Sequence, residues 1–379
     1  MPATKFCLKR IVHLTSAHPF DDTRIFHKMC KSLASGGFPV TLIAQRASSE
    51  IIDGIDVISL SIPKNRFERM TRTTWQVYRA ALLTDGAIYH FHDPELILIG
   101  ILLKFHGKII IYDVHEDYAA SLNDNDREWL PSYLGKFASV LTRAVEIIGA
   151  HFFDAIVAAT DQISNHFPKN KTIVVNNYPI YGELITGSSK FSYRNRPYNV
   201  AYIGLISKLR GVREMIDALS LLPANYNAKL QLAGVFDQEN LKKEILELET
   251  IKSFSYLGVL SRKDVAYTLE KVRAGLVLFH PAQNHIKSQP NKLFEYLSAG
   301  IPIIASDFPL WRDFILGTGC GLTVNPLDPM EIAKAMLWIF SHPEEAEEMG
   351  KRGQDIVAQK LNWTYESKKI FTLYETLLS

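Results

Sequence analysis

The segment Ser288-Gln-Pro-Asn-Lys-Leu-Phe-Glu-Tyr-Leu-Ser-Ala-Gly-Ile-Pro-Ile-Ile-Ala-Ser-Asp307 puts reactive side chains at the start of a helix. Asn291 and Lys292 offer backbone N–H groups and a cation to an anion, and the helix dipole adds to both. Glu295 lies one turn further in. A carboxylate cannot attract a phosphate, so a neutral diol such as a ribose suits it better. An anion site beside a diol acceptor is what a nucleotide sugar requires. The surrounding residues position these groups. Pro290 fits a helix start, since it has no N–H to leave unpaired. Leu293, Phe294 and Leu297 have helical spacing, Gly300 can supply a left-handed end, and Ile301–Ala305 reads as a buried strand.

Three more loops follow directly after strand-like runs. Ser16-Ala-His-Pro-Phe-Asp-Asp-Thr-Arg24 is long and polar and ends at a helix start, with Asp22 or Thr23 as N-cap. Asp21, Asp22 and Arg24 are candidates to face a ligand. The competing reading makes Asp22 a cap only and puts Arg24 on a solvated face. Tyr112-Asp-Val-His-Glu-Asp117 places a histidine and two acids at a strand end. There His115 can hydrogen-bond a sugar hydroxyl or a developing charge, with a structural histidine as the alternative. Gly204-Leu-Ile-Ser-Lys-Leu-Arg-Gly211 joins a strand to a helix. Gly204 permits close backbone approach, while Lys208 and Arg210 supply charge for a pyrophosphate leaving group. The spacing is not a P-loop. The first strand is not followed by Gly-x-Gly-x-x-Gly, which disfavours a flavin or nicotinamide enzyme.

These loops need strands and helices in alternation, and the chain supplies them twice. The first half reads as strands at Arg10–Leu14, Pro39–Ala44, Ala87–His92, Lys108–Asp113 and Ala155–Ala159, with a helix from Thr23 to Ser35 stopped by Gly36-Gly37. The second half restarts with strands at Asn199–Ile203, Lys229–Ala233, Gly275–Phe279 and Ile301–Ala305, and a helix from Val212 to Leu221. Short apolar or β-branched runs of this kind are parallel strands buried on both faces. The stretch 178–197 lacks such periodicity and contains Pro, Gly and Ser, which marks a linker. The expected fold is α/β with two doubly wound domains, and ligands in such folds meet the carboxyl ends of strands in a cleft between domains.

A length of 379 residues fits about two domains at roughly 150 residues each. Hydrophobic content of 47%, charge of 22% and a net charge of +2 describe an ordinary globular chain and give no reason to expect nucleic acid. Cys7, Cys30 and Cys320 are too scattered for a metal site or a disulfide framework, so a reducing cytosol is the expected setting. Residues 1–14 read as no secretory leader, and the longest apolar runs fall short of the ~20 residues of a membrane span. Lys64–Arg79 mixes basic residues with large apolar ones, as a helix lying on an anionic membrane does. An amphipathic core helix with a basic outer face is the preferred reading. Asn123-Asp-Asn-Asp126 has a metal-binding pattern but reads as a solvated turn, and Gly317–Gly321 reads as a turn too.

Taken in order, the motifs resemble the family 4 retaining glycosyltransferases (GT4), which have the GT-B fold, nearly end to end. The resemblance rests on His18-Pro-Phe-Asp-Asp-Thr-Arg-Ile25, Phe91-His-Asp-Pro94, Asp113-Val-His-Glu116, Tyr202-Ile-Gly204 with Arg210-Gly211, and Leu257-Gly258. Asn291-Lys-Leu-Phe-Glu295, Ala299–Ser306 and the tail from Ala346 to Tyr374 complete it. It implies two Rossmann-like domains facing an interdomain cleft: an acceptor-side domain over 1–182, a linker over 183–197 and a nucleotide-sugar domain over 198–360. A C-terminal helix over 361–379 would pack back on the first domain.

It also implies transfer of a sugar from a nucleotide-diphosphate sugar to a glycan or lipid-linked hydroxyl, in bacterial surface polysaccharide synthesis at the cytoplasmic membrane face. No metal or other cofactor is expected. Glu295 would hold the ribose hydroxyls and the Asn291–Leu293 backbone the diphosphate. Arg210, helped by Lys208, would neutralise the phosphates, with Gly204, Ser207 and Lys292 also on the donor side. His115 would contact the donor sugar, and Asp22 and Arg24 would face the acceptor. His115, Arg210 and Glu295 are the expected catalytic residues. Two positions depart from the family pattern: Lys287 stands where a first Glu is common, and Leu205 where an Arg often follows the glycine. A nucleotide-sugar epimerase on this fold and a non-catalytic nucleotide-sugar-binding subunit are the other readings.

Overall fold

Runs rich in Ile, Val and Ala cannot face water on either side, so they assemble into central parallel strands covered by helices. The computed structural model describes residues 9–121, 132–186, 192–248 and 253–379. Cys7 and the Asn123–Asp126 segment lie outside them. The chain divides into two units, Met1–Asn177 with Trp363–Ser379, and Tyr178–Asn362. It passes from one to the other at Asn177/Tyr178. Leu184 and Tyr193, in the stretch expected to be a linker, are buried in the core of the second unit.

Among the described residues the first unit has eight strands: β1 (Ile11–Pro19), β2 (Val40–Gln45), β3 (Glu50–Ile52), β4 (Ile55–Leu60), β5 (Ile88–Phe91), β6 (Ile109–Val114), β7 (Ala155–Ala158) and β8 (Thr172–Val174). Their order is β3-β4-β2-β1-β5-β6-β7-β8. All neighbours are parallel except the β3–β4 hairpin, which turns at Asp53 and Gly54, both at positive φ. The helix Trp363–Leu378 belongs to this unit: Trp363 Nε1 donates to Ser32 Oγ (2.7 Å), and Glu366 accepts from the Asn176 amide (2.8 Å).

The second unit contains β9 (Asn199–Ile203), β10 (Lys229–Ala233), β11 (Phe254–Tyr256), β12 (Ala274–Val277), β13 (Ile303–Ser306) and β14 (Gly321–Val324). They form one parallel sheet in the order β11-β10-β9-β12-β13-β14. The helix Asn291–Ser298 buries Leu293, Phe294 and Leu297, and Gly300 (φ 72°) ends it. Pro290 is the residue before the first turn rather than inside it. Tyr296 fixes the helix in place: its hydroxyl accepts from the Ile203 amide (2.8 Å) at the end of β9.

Two sequence expectations change here. The loop from Ser16 is strand-like as far as Pro19, with an irregularity after Leu14, because the Asp93 carboxylate ties down its amides. The stretch from Arg66 to Leu83 is helical throughout, and Val77 and Ala81 are buried, but Phe67, Met70 and Trp75 face solvent. It is not a plain core helix.

Candidate functional site

In the second unit the chain leaves β9 through Gly204, whose φ of 133° suits glycine. A Cβ there would come 3.1 Å from Lys292 Nζ. The Lys208–Arg210 turn ends at Gly211 (φ 72°), where a Cβ would lie 2.2 Å from the Leu278 carbonyl oxygen. Only glycine lets the chain turn so closely into the helix Val212–Ser220.

Two cations converge beyond this turn. The Arg210 guanidinium stacks 5.0 Å from the centre of the Phe279 ring. Lys292 Nζ lies 3.5 Å from the Tyr202 ring centre and 5.3 Å from that of Phe279. Lys292 is buried, and its amine has no hydrogen-bond partner among the described residues. Burial, and then the nearby Arg210 charge, hold this amine well below the usual lysine range, with Glu295 opposing. A desolvated ammonium gains about 2 kcal/mol over an aromatic ring. That does not offset the several kcal/mol of leaving a charge unpaired in the interior. The pair is therefore electrostatically unsatisfied and suited to an anion.

Glu295 is oriented by a residue that the sequence did not single out. Arg262 Nη1 donates to Glu295 Oε1 (2.7 Å), while its Nε and Nη2 grip Glu183 at 3.0 and 2.6 Å. Burial would lower the Arg262 guanidinium, but the two carboxylates outweigh it and push it up. Arg262 follows Ser261, which caps the helix Arg262–Leu269. The Ser-x-x-Asp start was readable, but its pairing with Glu183 was not.

The other expected donor-side residues separate. Asn291 is exposed at the first position of its helix. Leu293 is in the core, and its amide donates to the Pro290 carbonyl (3.0 Å), so it is not available to a diphosphate. That leaves the amides of Asn291 and Lys292 as first-turn donors. Ser207 is buried and opens the Lys208–Arg210 turn. Lys208 is exposed, and with Arg210 it acts electrostatically on Asp237. Lys287 is exposed just beyond the short helix Gln283–Ile286.

In the first unit His115 Nε2 meets His18 Nε2 at 3.1 Å, with the Tyr118 hydroxyl at 3.5 Å. Burial leads in lowering the His115 imidazole. Burial would also lower His18, but its hydrogen bond to Asp22 and the Asp93 charge win, raising it to about 9. His18 lies 3.6 Å from Asp22 and 3.3 Å from Asp93. Of the two rings, His18 is therefore the one whose surroundings favour the charged form. Asp22 caps its helix, accepting from the Arg24 and Ile25 amides at 2.8 and 2.9 Å, and pairs with His18 as well. Asp93 accepts from Thr15 Oγ1 (2.8 Å) and the Ser16 amide (2.6 Å).

Arg24 does not face solvent. It is buried, with Nε and Nη2 on the two oxygens of Asp113 at 2.9 and 2.7 Å and Nη1 on the Val175 carbonyl at 3.1 Å. The acceptor-side expectation for Arg24 is therefore corrected: its fork geometry matches a buried carboxylate 89 positions away. Behind it stands a buried histidine stack. His13 Nδ1 meets His92 Nε2 at 3.0 Å, His92 Nδ1 meets Asp113 at 2.9 Å, and His90 Nδ1 meets the Tyr374 hydroxyl at 2.5 Å. Burial holds His13 and His90 well below the usual histidine range. His90, His92 and Asp113 bring metal-ligand atoms within 4.8 Å of one another, but Arg24 already takes both Asp113 oxygens.

Residues 188–356 match the family model of the group 1 glycosyl transferases. A D-rhamnosyltransferase, WbpZ of Pseudomonas aeruginosa, is 26% identical over 154 residues, 40% of this chain and 39% of that protein. Among solved structures, sucrose-phosphate synthase from Thermosynechococcus elongatus superposes with a TM-score of 0.77 at 16% identity, over 98% of this chain and 99% of that one. HepE of Anabaena, in complex with UDP-glucose, does so at 0.70 and 14%, over 97% and 100%. The fold is GT-B, and the stretch that matches the group 1 glycosyl transferases, residues 188–356, falls within the second unit of it.

Proposed function

We propose that the protein is a retaining glycosyltransferase of the GT4 type. It moves a sugar from a nucleoside-diphosphate sugar to a hydroxyl of a glycan or lipid-linked acceptor in the assembly of a bacterial surface polysaccharide. The observation that carries this reading is the Lys292 amine, buried without a hydrogen-bond partner beside Arg210, Gly204 and a helix start. The chemical task is departure of a diphosphate while the sugar becomes oxocarbenium-like. Fixed positive charge at the departing oxygens stabilises that state most, because it is already in place when the charge develops. Lys292 supplies, at Gly204, the cation that the family pattern has at position 205. Glu295, held by Arg262 through Oε1, presents its other oxygen to the ribose diol. In the first unit His115, hydrogen-bonded to His18, is the residue assigned to the donor sugar.

The named complexes of HepE with UDP and UDP-glucose, and the rhamnosyltransferase name of the Pseudomonas relative, support a nucleotide-sugar donor and a polysaccharide setting. On this reading no metal is needed, since Arg210 and Lys292 carry the phosphate charge, and turnover persists in a chelator. A lipid-linked acceptor would put the reaction at the cytoplasmic face of the membrane.

Three measurements test the reading. A nucleoside diphosphate at a hundred times its Kd should stabilise the fold by about 2.7 kcal/mol. Flat melting midpoints across uridine, guanosine, adenosine, cytidine and thymidine diphosphates would sink it. With the accepted donor identified, Glu295→Ala should fold but lose transfer, and proton NMR of the wild-type product should show the donor's anomeric configuration retained.

A further inference from the structure

The helix Ser132–Phe152 has an outward face that water does not favour. Its inward side carries Ser139, Glu146, Gly149 and Ala150, all buried. Opposite them Phe137, Val140, Leu141 and Ile148 are 68%, 70%, 54% and 59% exposed, and Val145, Ile147 and Phe152 are exposed too. Glu146, the acid on these turns, points inward to the Tyr112 hydroxyl. An outward helix face this apolar is normally covered, by a core or by a membrane.

Its neighbours continue the surface. Ile97–Phe105 approaches so closely that a Cβ at Gly149 would meet Ile97 at 2.7 Å, and Phe105 lies 6.3 Å from Phe152. On this second helix Leu98 and Phe105 are also exposed. Thr74–Leu83 joins it through Tyr78 and His106 and exposes Trp75, Leu82 and Leu83, while Phe67 and Met70 are exposed just before it. Exposed apolar side chains clustered in this way mark an interaction surface. The charged groups around it are mostly of one sign: Lys64, Arg66, Arg72, Arg79 and Lys136 are exposed, whereas Glu68 is engaged by Arg72 and Asp85 lies beyond the last helix end.

We propose that these helices form one face that docks on an anionic lipid bilayer, with the 132–152 helix entering the interfacial layer and the basic side chains meeting lipid phosphates. The proposal rests on the membrane setting given under the proposed function, but not on the donor chemistry. A symmetric pairing of two copies through this face would set its like charges against each other. An anionic headgroup layer neutralises them instead.

The test is co-sedimentation of the full chain with vesicles of phosphatidylethanolamine and phosphatidylglycerol, against vesicles of phosphatidylcholine alone. Wild type should sediment with the first, less so as salt rises. Leu141→Ser combined with Ile148→Ser should lower partitioning about tenfold or more. Arg66→Ser with Arg72→Ser, both at exposed positions, should weaken it without disturbing the fold. The nucleoside-diphosphate melting shift should be the same in all three proteins, so failure of the donor reading shows as a missing shift everywhere and leaves the vesicle result standing. Failure of wild type to bind anionic vesicles would overturn the proposal, as would undiminished binding by the apolar double variant. Dissociation of a wild-type dimer by that variant in sedimentation velocity would also overturn it and give the face to a second copy of the chain.

Discussion

Arg24 and Lys292 are both buried cations, 3% and 6% exposed, and the two units treat them in opposite ways. In the first unit Arg24 sends three nitrogens into hydrogen bonds, two on Asp113 and one on a carbonyl. In the second unit Lys292 has aromatic rings below it, another cation beside it and no hydrogen bond among the described residues. A cation whose donors are all used is part of the framework. One left unsatisfied costs the free protein stability, which a binding anion can return.

The largest expected effect is on stability in the first unit. Arg24→Met strands the Asp113 carboxylate in the interior and should cost about 3–5 kcal/mol, read as a fall in calorimetric midpoint. The comparison breaks if the melting temperature hardly moves. Lys292→Met should do the reverse. It removes a buried amine that has no hydrogen-bond partner among the described residues, so the midpoint should hold or rise. If Lys292 meets the donor phosphates as proposed, its loss should lower kcat/KM for the donor by about 10²–10³-fold. A variant that is both destabilised and active would make Lys292 a framework residue like Arg24.

The smallest effect concerns pH. His18 is raised from 6.5 to about 9, so its contribution is complete below pH 6.5 and is lost as pH climbs through about 9. His18→Asn should flatten that alkaline decline, worth on the order of 2 kcal/mol, in denaturant midpoints measured across the window. His13 and His90 have the opposite sign: their contribution is present above pH 6.5 and is lost as pH falls below it. The same titration on the acid side therefore keeps its slope in the His18 variant.

Local signals were legible. The strands at Asn199–Ile203 and Lys229–Ala233 and the helix ending at Gly300 follow from runs of apolar residues and a glycine terminator. The short strands β3, β8, β11 and β14 were not, because three or four residues carry little periodicity and owe their state to a neighbouring strand. Gly204, Arg210, Lys292 and Glu295 could be nominated because each lies at a strand or helix end. What each one touches was out of reach. Arg262 reaches Glu183 across 79 positions, and Arg24 turns inward to Asp113 across 89. Polar residues in a loop look alike in sequence whether their partner is water, a ligand or a distant carboxylate.

The second unit is one uninterrupted piece of chain, whereas the first is completed by Trp363–Ser379. Tyr374, wholly buried against His90, therefore leaves the ribosome after everything in the second unit has already emerged. Domains usually mature in the order they are translated. Here the later-made unit can finish first, and the histidine stack of the earlier one stays open until the helix that carries Tyr374 arrives to close it.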